Sequence, residues 1–140
     1  MAKVTFDVGP AVNQTVVVAI AAVNNIGVTI VDRGGPVALR AVLTVDNAGA
    51  GGNTLTASIR KNGVIVAGTT RTAILVAVSR VAVALEHVDL VAAVGDVYAL
   101  EVNVAAVVVP TLLIANQCHL AVEALGQDAA LVAGIGPATA

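Results

Sequence analysis

Hydrophobic and polar residues alternate with a period of two along much of this chain. In residues 79–104, SRVAVALEHVDLVAAVGDVYALEVNV, Val81, Val83 and Leu85 alternate with Arg80, Ala82, Ala84 and Glu86. Tyr98, Leu100, Val102 and Val104 then alternate with Ala99, Glu101 and Asn103. Such a period places alternate side chains on opposite faces of a strand, one of them buried. The spacing predicts two long strands joined through Gly95 and Asp96.

The same pattern recurs earlier. Val37, Leu39, Ala41, Leu43 and Val45 form one face of a strand over 37–46, and Leu55, Ala57 and Ile59 one face of a strand over 54–61. Asn62 and Gly63 follow, and then the apolar run 64–66. Asn-Gly between apolar strands predicts a tight hairpin, because both residues tolerate positive φ. Residues 15–23 read as an apolar strand buried on both faces, Asn24 and Asn25 as a turn, and 26–31 as a further strand. Residues 32–36 read as a loop, and 47–53, NAGAGGN, as a hairpin connection. The latter is no phosphate loop, since no Lys-Ser or Lys-Thr follows it. An apolar run at 73–78 and a strand over 118–125 complete the regular pattern. Residues 107–115 are apolar without alternation and are interrupted by Pro110, which predicts an irregular or edge strand. The total is about eight to ten antiparallel strands with no helical periodicity, an all-β sandwich, jelly roll or barrel.

Composition sharpens this picture. Of 140 residues, 58% are hydrophobic, 11% charged and 1% aromatic. So few charges cannot cover the surface of a lone domain, and exposed apolar area usually marks an interface. The expectation is an obligate homo-oligomer. The candidate interface residues are Val107, Val108, Val109, Leu112, Leu113 and Ile114, which lack a polar face, together with Val4, Phe6 and Val8 of the first segment. That segment is expected to be the first strand or an arm that adds to a neighbour's sheet. The net charge of −2 with scattered basic residues argues against nucleic-acid binding. Mean hydropathy is +0.94, but neither long apolar run reaches the roughly 20 residues of a spanning helix, and aromatic girdles for a membrane barrel are lacking. Without a clear signal peptide, synthesis in the cytoplasm is expected, with a final place on a virion, cell or spore surface.

Candidate chemistry is sparse. Glu86, His87 and Asp89 are the densest polar group, yet alternation sends Glu86 and His87 to opposite faces. The same holds for Cys118 and His119. Cys118, in phase with Leu120 and Val122, reads as a buried small hydrophobe. The loop aspartates Asp32, Asp46, Asp89, Asp96 and Asp128 lack cation-loop spacing and read as turn residues. No catalytic residue, metal site or cofactor is expected, and the chain reads as a non-enzyme.

The run GNTLTASIRKNGVIVAG (residues 52–68), followed by GDVYALEV (95–102) and a closing strand, resembles the jelly roll of tumour necrosis factor and the complement heads. It most resembles the bacterial and phage branch that includes the spore-surface collagen-like glycoprotein of bacilli. In that branch a strand ending in Asn-Gly-hydrophobic and a later Gly-Asp-hydrophobic strand recur, here at Ile59, Asn62, Gly63 and Val64 and at Gly95, Asp96 and Val97. The resemblance covers roughly residues 37–125. It implies a ten-stranded jelly roll that forms tight trimers. The chain departs from it in lacking core aromatics and a Gly-X-Y stalk. The resulting organisation is an arm or first strand at 1–10, a jelly-roll domain at 11–125 and a tail of small residues at 126–140. The expected role is a self-associating subunit, a trimer, that decorates or builds a particle such as a phage capsid or virion surface. The alternatives are a surface-filament subunit linked by strand exchange, or a receptor- or glycan-binding head.

Overall fold

The computed structural model describes residues 3–30, 34–49, 51–106 and 111–125. These residues contain eleven strands and no helix: β1 Lys3–Gly9, β2 Gln14–Val16, β3 Ala21–Thr29, β4 Gly35–Asn47, β5 Thr54–Lys61, β6 Val64–Ile65, β7 Arg71–Ile74, β8 Ser79–Ala92, β9 Val97–Val104, β10 Thr111–Leu113 and β11 Cys118–Ala124.

The topology follows from one turn. Asn62 and Gly63 take φ of 53° and 83° and fold β6 back on β5, with Lys61 opposite Val64. Outward from this tip the two halves of the chain pair as one antiparallel ribbon. β5 also pairs β7, β4 pairs β8 from Asn47↔Ser79 to Gly35↔Ala92, and β3 pairs β9. Last, β2 pairs β10 and β1 pairs β11 from Gly9↔Cys118 to Lys3↔Ala124. Wrapping this ribbon on itself brings β11 and β10 against β4, and β9 against β5. The result is two antiparallel sheets. The first runs β8, β4, then β11 with β10, then β1 with β2. The second runs β3, β9, β5, then β6 with β7. This is a jelly-roll sandwich. Its eight columns hold eleven strands because three columns are split in two.

The alternating faces meet between the sheets. Leu39, Leu43, Leu85, Leu113 and Leu120 of the first sheet oppose Leu55, Ile59, Tyr98 and Leu100 of the second, and all are fully buried. Each such side chain contributes about 1.5–3 kcal/mol of burial free energy. Val37, Ala41 and Val45, and Ala57, Val102 and Val104, fill the same layer as their period predicts.

Four expectations change. Residues 15–23 are not one strand: β2 ends at Val16, and Val17, Val18 and Ile20 are exposed where the chain crosses to the other sheet. Asn24 and Asn25 are not a turn but a bulge inside β3. Asn25 takes φ 66°, and the ladder with β9 shifts between Ala22 and Gly27. Residues 48–53 do not close a hairpin, since β4 and β5 lie in different sheets. For the same reason β8 and β9, contiguous through Gly95 and Asp96, are not partners. Period two reports which face is buried and is silent about which strand lies alongside. The first segment pairs with this chain's own β11, while residues 126–140 lie outside the described residues.

Gly63 has open space where a Cβ would sit, so Gly63→Ala meets only backbone strain. It is expected to cost about 1–2 kcal/mol, read as a lower urea midpoint at unchanged m-value.

Candidate assembly surface and polar clamp

The polar residues singled out in the sequence divide on folding. Glu86 points to solvent and faces Arg40 across the β4–β8 ladder at 3.9 Å; so exposed a pair contributes little. Asp89, three residues on, points inward at the end of the sandwich. Its Oδ2 accepts the Tyr98 hydroxyl at 2.5 Å and pairs with Lys61 Nζ at 3.0 Å. Its Oδ1 accepts the Val91 N–H. Lys61 also reaches Asp96 at 3.4 Å and donates to the Val91 carbonyl at 2.8 Å. β8 belongs to one sheet, and Lys61 and Tyr98 to the other, so the cluster clamps the two sheets together.

The clamp is built on the two turn motifs. The Asn62 side chain donates to Asp96 Oδ1 at 2.8 Å and accepts the Val97 N–H at 2.9 Å. Asp96 Oδ2 accepts the Ala93 N–H. The Asn-Gly and Gly-Asp turns, more than thirty residues apart, thus hold each other. Nothing in the sequence pairs Asp89 with Lys61 and Tyr98; the only hint is that Lys61 and Tyr98 flank the two turns.

These contacts set the titration of the cluster. Burial pushes the Asp89 carboxyl up, but hydrogen bonds from Tyr98, the Val91 N–H and Lys61 outweigh it and hold the group below the usual carboxylate value. The Asn62 amide leads in holding Asp96 down as well. The Asp89 hydrogen bond leads in raising Lys61, against burial. Burial, then Asp89, pushes Tyr98 far up. Burial also raises the Cys118 thiol, whose Sγ faces the Thr44 carbonyl. Cys118 is buried as its phase predicts, while the neighbouring His119 lies on the outer side of the sheet. Among the described residues no group of three His, Cys, Asp or Glu converges to hold a metal ion.

The expected interface residues fall into three sets. Val4, Phe6 and Val8 are exposed by 54%, 62% and 41% on the outer side of β1. Leu113 and Ile114 are buried within this chain, Leu113 in the core between the sheets; Leu112, in antiphase, faces the outer side half-buried. The apolar run there mixes core and surface because successive strand side chains point to opposite faces. Val107, Val108 and Val109 lie outside the described residues.

The register shows what surrounds the exposed set. Across the outer side of the first sheet the rows are Val8, His119, Val42, Ala84; then Phe6, Ala121, Arg40, Glu86; then Val4, Glu123, Ala38, Val88. Phe6, Val8, Gln117, His119 and Ala121 border a shallow groove of 420 Å³. The outer side of the second sheet differs. There Thr54, Thr56, Ser58 and Arg60 of β5 lie beside Glu101 and Asn103 of β9, with Arg60 and Glu101 ion-paired. At its β6–β7 edge that sheet exposes Ile65 and Ile74, in register with Arg60 and Thr54, while the edge strand β1 of the first sheet adds the exposed aromatic Phe6.

The clamp predicts two limbs in stability against pH. Asp89 and Asp96 have lowered folded pKa values, so their contribution is full above the unfolded value near 3.9 and is lost as pH falls through the folded values. Lys61 and Tyr98 have raised values, so theirs is full below about 10 and is lost as pH rises through the folded values. Thermal melts across pH are expected to show both limbs, and Asp89→Asn to flatten the acid one. Tyr98→Phe, which removes a hydrogen bond to a charged acceptor, is expected to cost about 1.5–3 kcal/mol by urea denaturation. Equal acid slopes in wild type and Asp89→Asn would refute the assignment.

No protein-family profile and no curated relative matches the chain. Solved structures do resemble it. A chain of the T13 viral particle of IBDV superposes with a TM-score of 0.62 at 12% identity, over 87% of this chain and 31% of that one. A chain of the Gx strain of infectious bursal disease virus gives 0.60 at 14% identity, over 91% and 34%. Dimeric latent PorU from Porphyromonas gingivalis gives 0.50 at 7% identity, over 87% and 12%. The chain therefore spans about a third of the viral chains it resembles, and at these identities the likeness is one of fold: an all-β sandwich.

Proposed function

We propose that this chain is a non-enzymatic structural subunit that associates with copies of itself, as a trimer, and builds or decorates a larger particle such as a virion surface. The observation that carries this reading is the outer side of β1. A complete sandwich, with its own core filled, still leaves Val4, Phe6 and Val8 in solvent, and Phe6 is one of the two aromatic residues of the chain. Burying them against another copy removes apolar area from water, the main favourable term in association. The likeness to IBDV particle chains over 87% and 91% of this chain supports the virion setting. The Asn62-Gly63 and Gly95-Asp96 motifs support a place near the tumour-necrosis-factor and complement-head branch of trimeric jelly rolls.

A filament linked by strand exchange is less favoured. β1 already pairs with its own β11 over seven residues, and exchange would first break that ladder. A glycan-binding head is also less favoured, because sugar platforms rely on aromatic rings, Tyr98 is fully buried and Phe6 is the single exposed ring.

In light scattering at micromolar concentration the wild type is expected at a multiple of the 13.8 kDa chain, three copies for the trimer. Phe6→Asp is expected to lower that mass with an unchanged circular dichroism spectrum, since the site is exposed. A wild type at 13.8 kDa across the concentration range would sink the proposal.

A further inference from the structure

Among the described residues the sandwich has four open edges: the β1–β2 column and β8 on the first sheet, β3 and the β6–β7 column on the second. Three of them are broken. Pro10 separates β1 from β2. The bulge at Asn24 and Asn25 interrupts β3, and β6 and β7 are two and four residues long. Interruptions of this kind keep an edge from pairing with another chain. β8 has none. It is 14 residues long, and its ladder with β4 runs from Ser79 to Asp89 without a shift. Between Ser79 and His87 it contains no Pro, Gly or Lys. Among the described residues no strand besides β4 pairs with it. Its second row of backbone N–H and C=O groups therefore stands open to another strand.

The charges on the outer side of β8 add a second observation. Between Ser79 and Val88 that side carries only Arg80 and Glu86, with Ala82 and Ala84 between them. Each charge is exposed and has a neighbour of opposite sign on β4. Asp46 stands opposite Arg80 at 3.8 Å, and Arg40 opposite Glu86 at 3.9 Å. Consider a second β8 laid antiparallel along the open edge, with Val83 opposite the partner's Val83. Residues directly opposite share a face in such a pair, so Arg80 meets the partner's Glu86, and Glu86 meets the partner's Arg80. The row across the join is then Asp46, Arg80, the partner's Glu86 and the partner's Arg40, with charges alternating in sign. The symmetry repeats that row once. A slip of two residues in either direction sets Arg80 against Ala or Val and loses both pairs.

We propose that the β8 edges of two copies pair across a twofold axis at Val83 and join their first sheets into one. The inference rests on the reading of the chain as a self-associating subunit and assigns it a contact separate from the outer side of β1. A twofold contact has to be self-complementary, with each pair of residues meeting twice. β8 meets that condition through Arg80 and Glu86 in this one register. The main chain supplies the hydrogen bonds, as in other strand additions. The opposite charges set the register, since unlike charges directly across a ladder stabilise it and like charges destabilise it. On the inner side Val81 meets the partner's Leu85, which continues the apolar layer. A strand of some other protein would call for no such symmetry within β8. Threefold contacts at β1 and twofold contacts at β8 together extend a trimer into a larger assembly.

Arg80→Glu and Glu86→Arg, each alone and then mixed, test this by light scattering from micromolar to millimolar concentration. The wild-type mass is expected to rise past the trimer as concentration increases. Either variant alone sets like charges opposite one another twice, and is expected to raise the dissociation constant of that step at least about tenfold. The equimolar mixture sets carboxylates against guanidinium groups at every such position and is expected to recover the wild-type mass. Should either variant fail to fold, Ala82→Cys mixed with Ala84→Cys decides. Those positions face each other across the join, so oxidation is expected to give a disulfide-linked dimer in far higher yield than from either alone. Variants that keep the wild-type mass, or a mixture that does not recover it, overturn this contact and leave self-association standing. A wild type that stops at three copies overturns it too; slow hydrogen exchange of the β8 amides then points to an edge covered within the chain, fast exchange to one left to other partners. A wild-type dimer sinks the trimer and leaves this contact, and a monomer at every concentration sinks both.

Discussion

The pairing of the two halves of the chain about Asn62 and Gly63 is the constraint on which the rest depends. Each further ladder, β4 with β8, β3 with β9, then β1 and β2 with β11 and β10, requires the one inside it. A ribbon of this length has two faces and two edges. Wrapping it hides the Leu- and Val-bearing face of both sheets in one layer, and leaves edges at the β1–β2 column, β8, β3 and the β6–β7 column. Nearly all the stabilising contacts are remote in sequence, so formation of the fold carries a large loop-closure cost that burial must offset.

The polar clamp belongs to the same logic. A sandwich with an aliphatic core has little to fix the position of one sheet on the other. Directional bonds at its end supply that. Asp89 reaches across from β8 to Lys61 and Tyr98, and Asn62 ties the ribbon's tip to Asp96. Charges are few in this chain, and several of them are spent here and in the Arg60–Glu101 pair. Fewer are left for the surface, and the exposed valines and isoleucines follow from that.

The three surfaces left over differ in kind. The outer side of the second sheet is polar along β5 and β9 and apolar at its β6–β7 edge. The outer side of the first is mixed and turns apolar at β1. The end formed by the β2–β3, β4–β5 and β7–β8 connections is apolar and uncharged among its described residues. The solved viral neighbours share the fold within chains about three times longer.

Much of this was written in the sequence. Period two named the buried residues of β4, β5, β8, β9 and β11, because in a strand each second side chain shares a face whatever lies opposite. Asn62-Gly63 marked the hairpin, because few other pairs accept positive φ twice. The burial of Cys118 and the separation of Glu86 from His87 followed from the same alternation. Other features were decided only by tertiary structure. Val17, Val18 and Ile20 read as core and are surface, since an apolar residue carries no mark of which side of a crossing it occupies. Leu113 and Ile114 read as interface and are buried in the single chain, Leu113 in its core. Asp89 read as a turn residue and is half of an inter-sheet clamp. Alternation is a local property of the backbone and survives any topology; partners, sheet crossings and the meeting of distant loops depend on how the ribbon wraps.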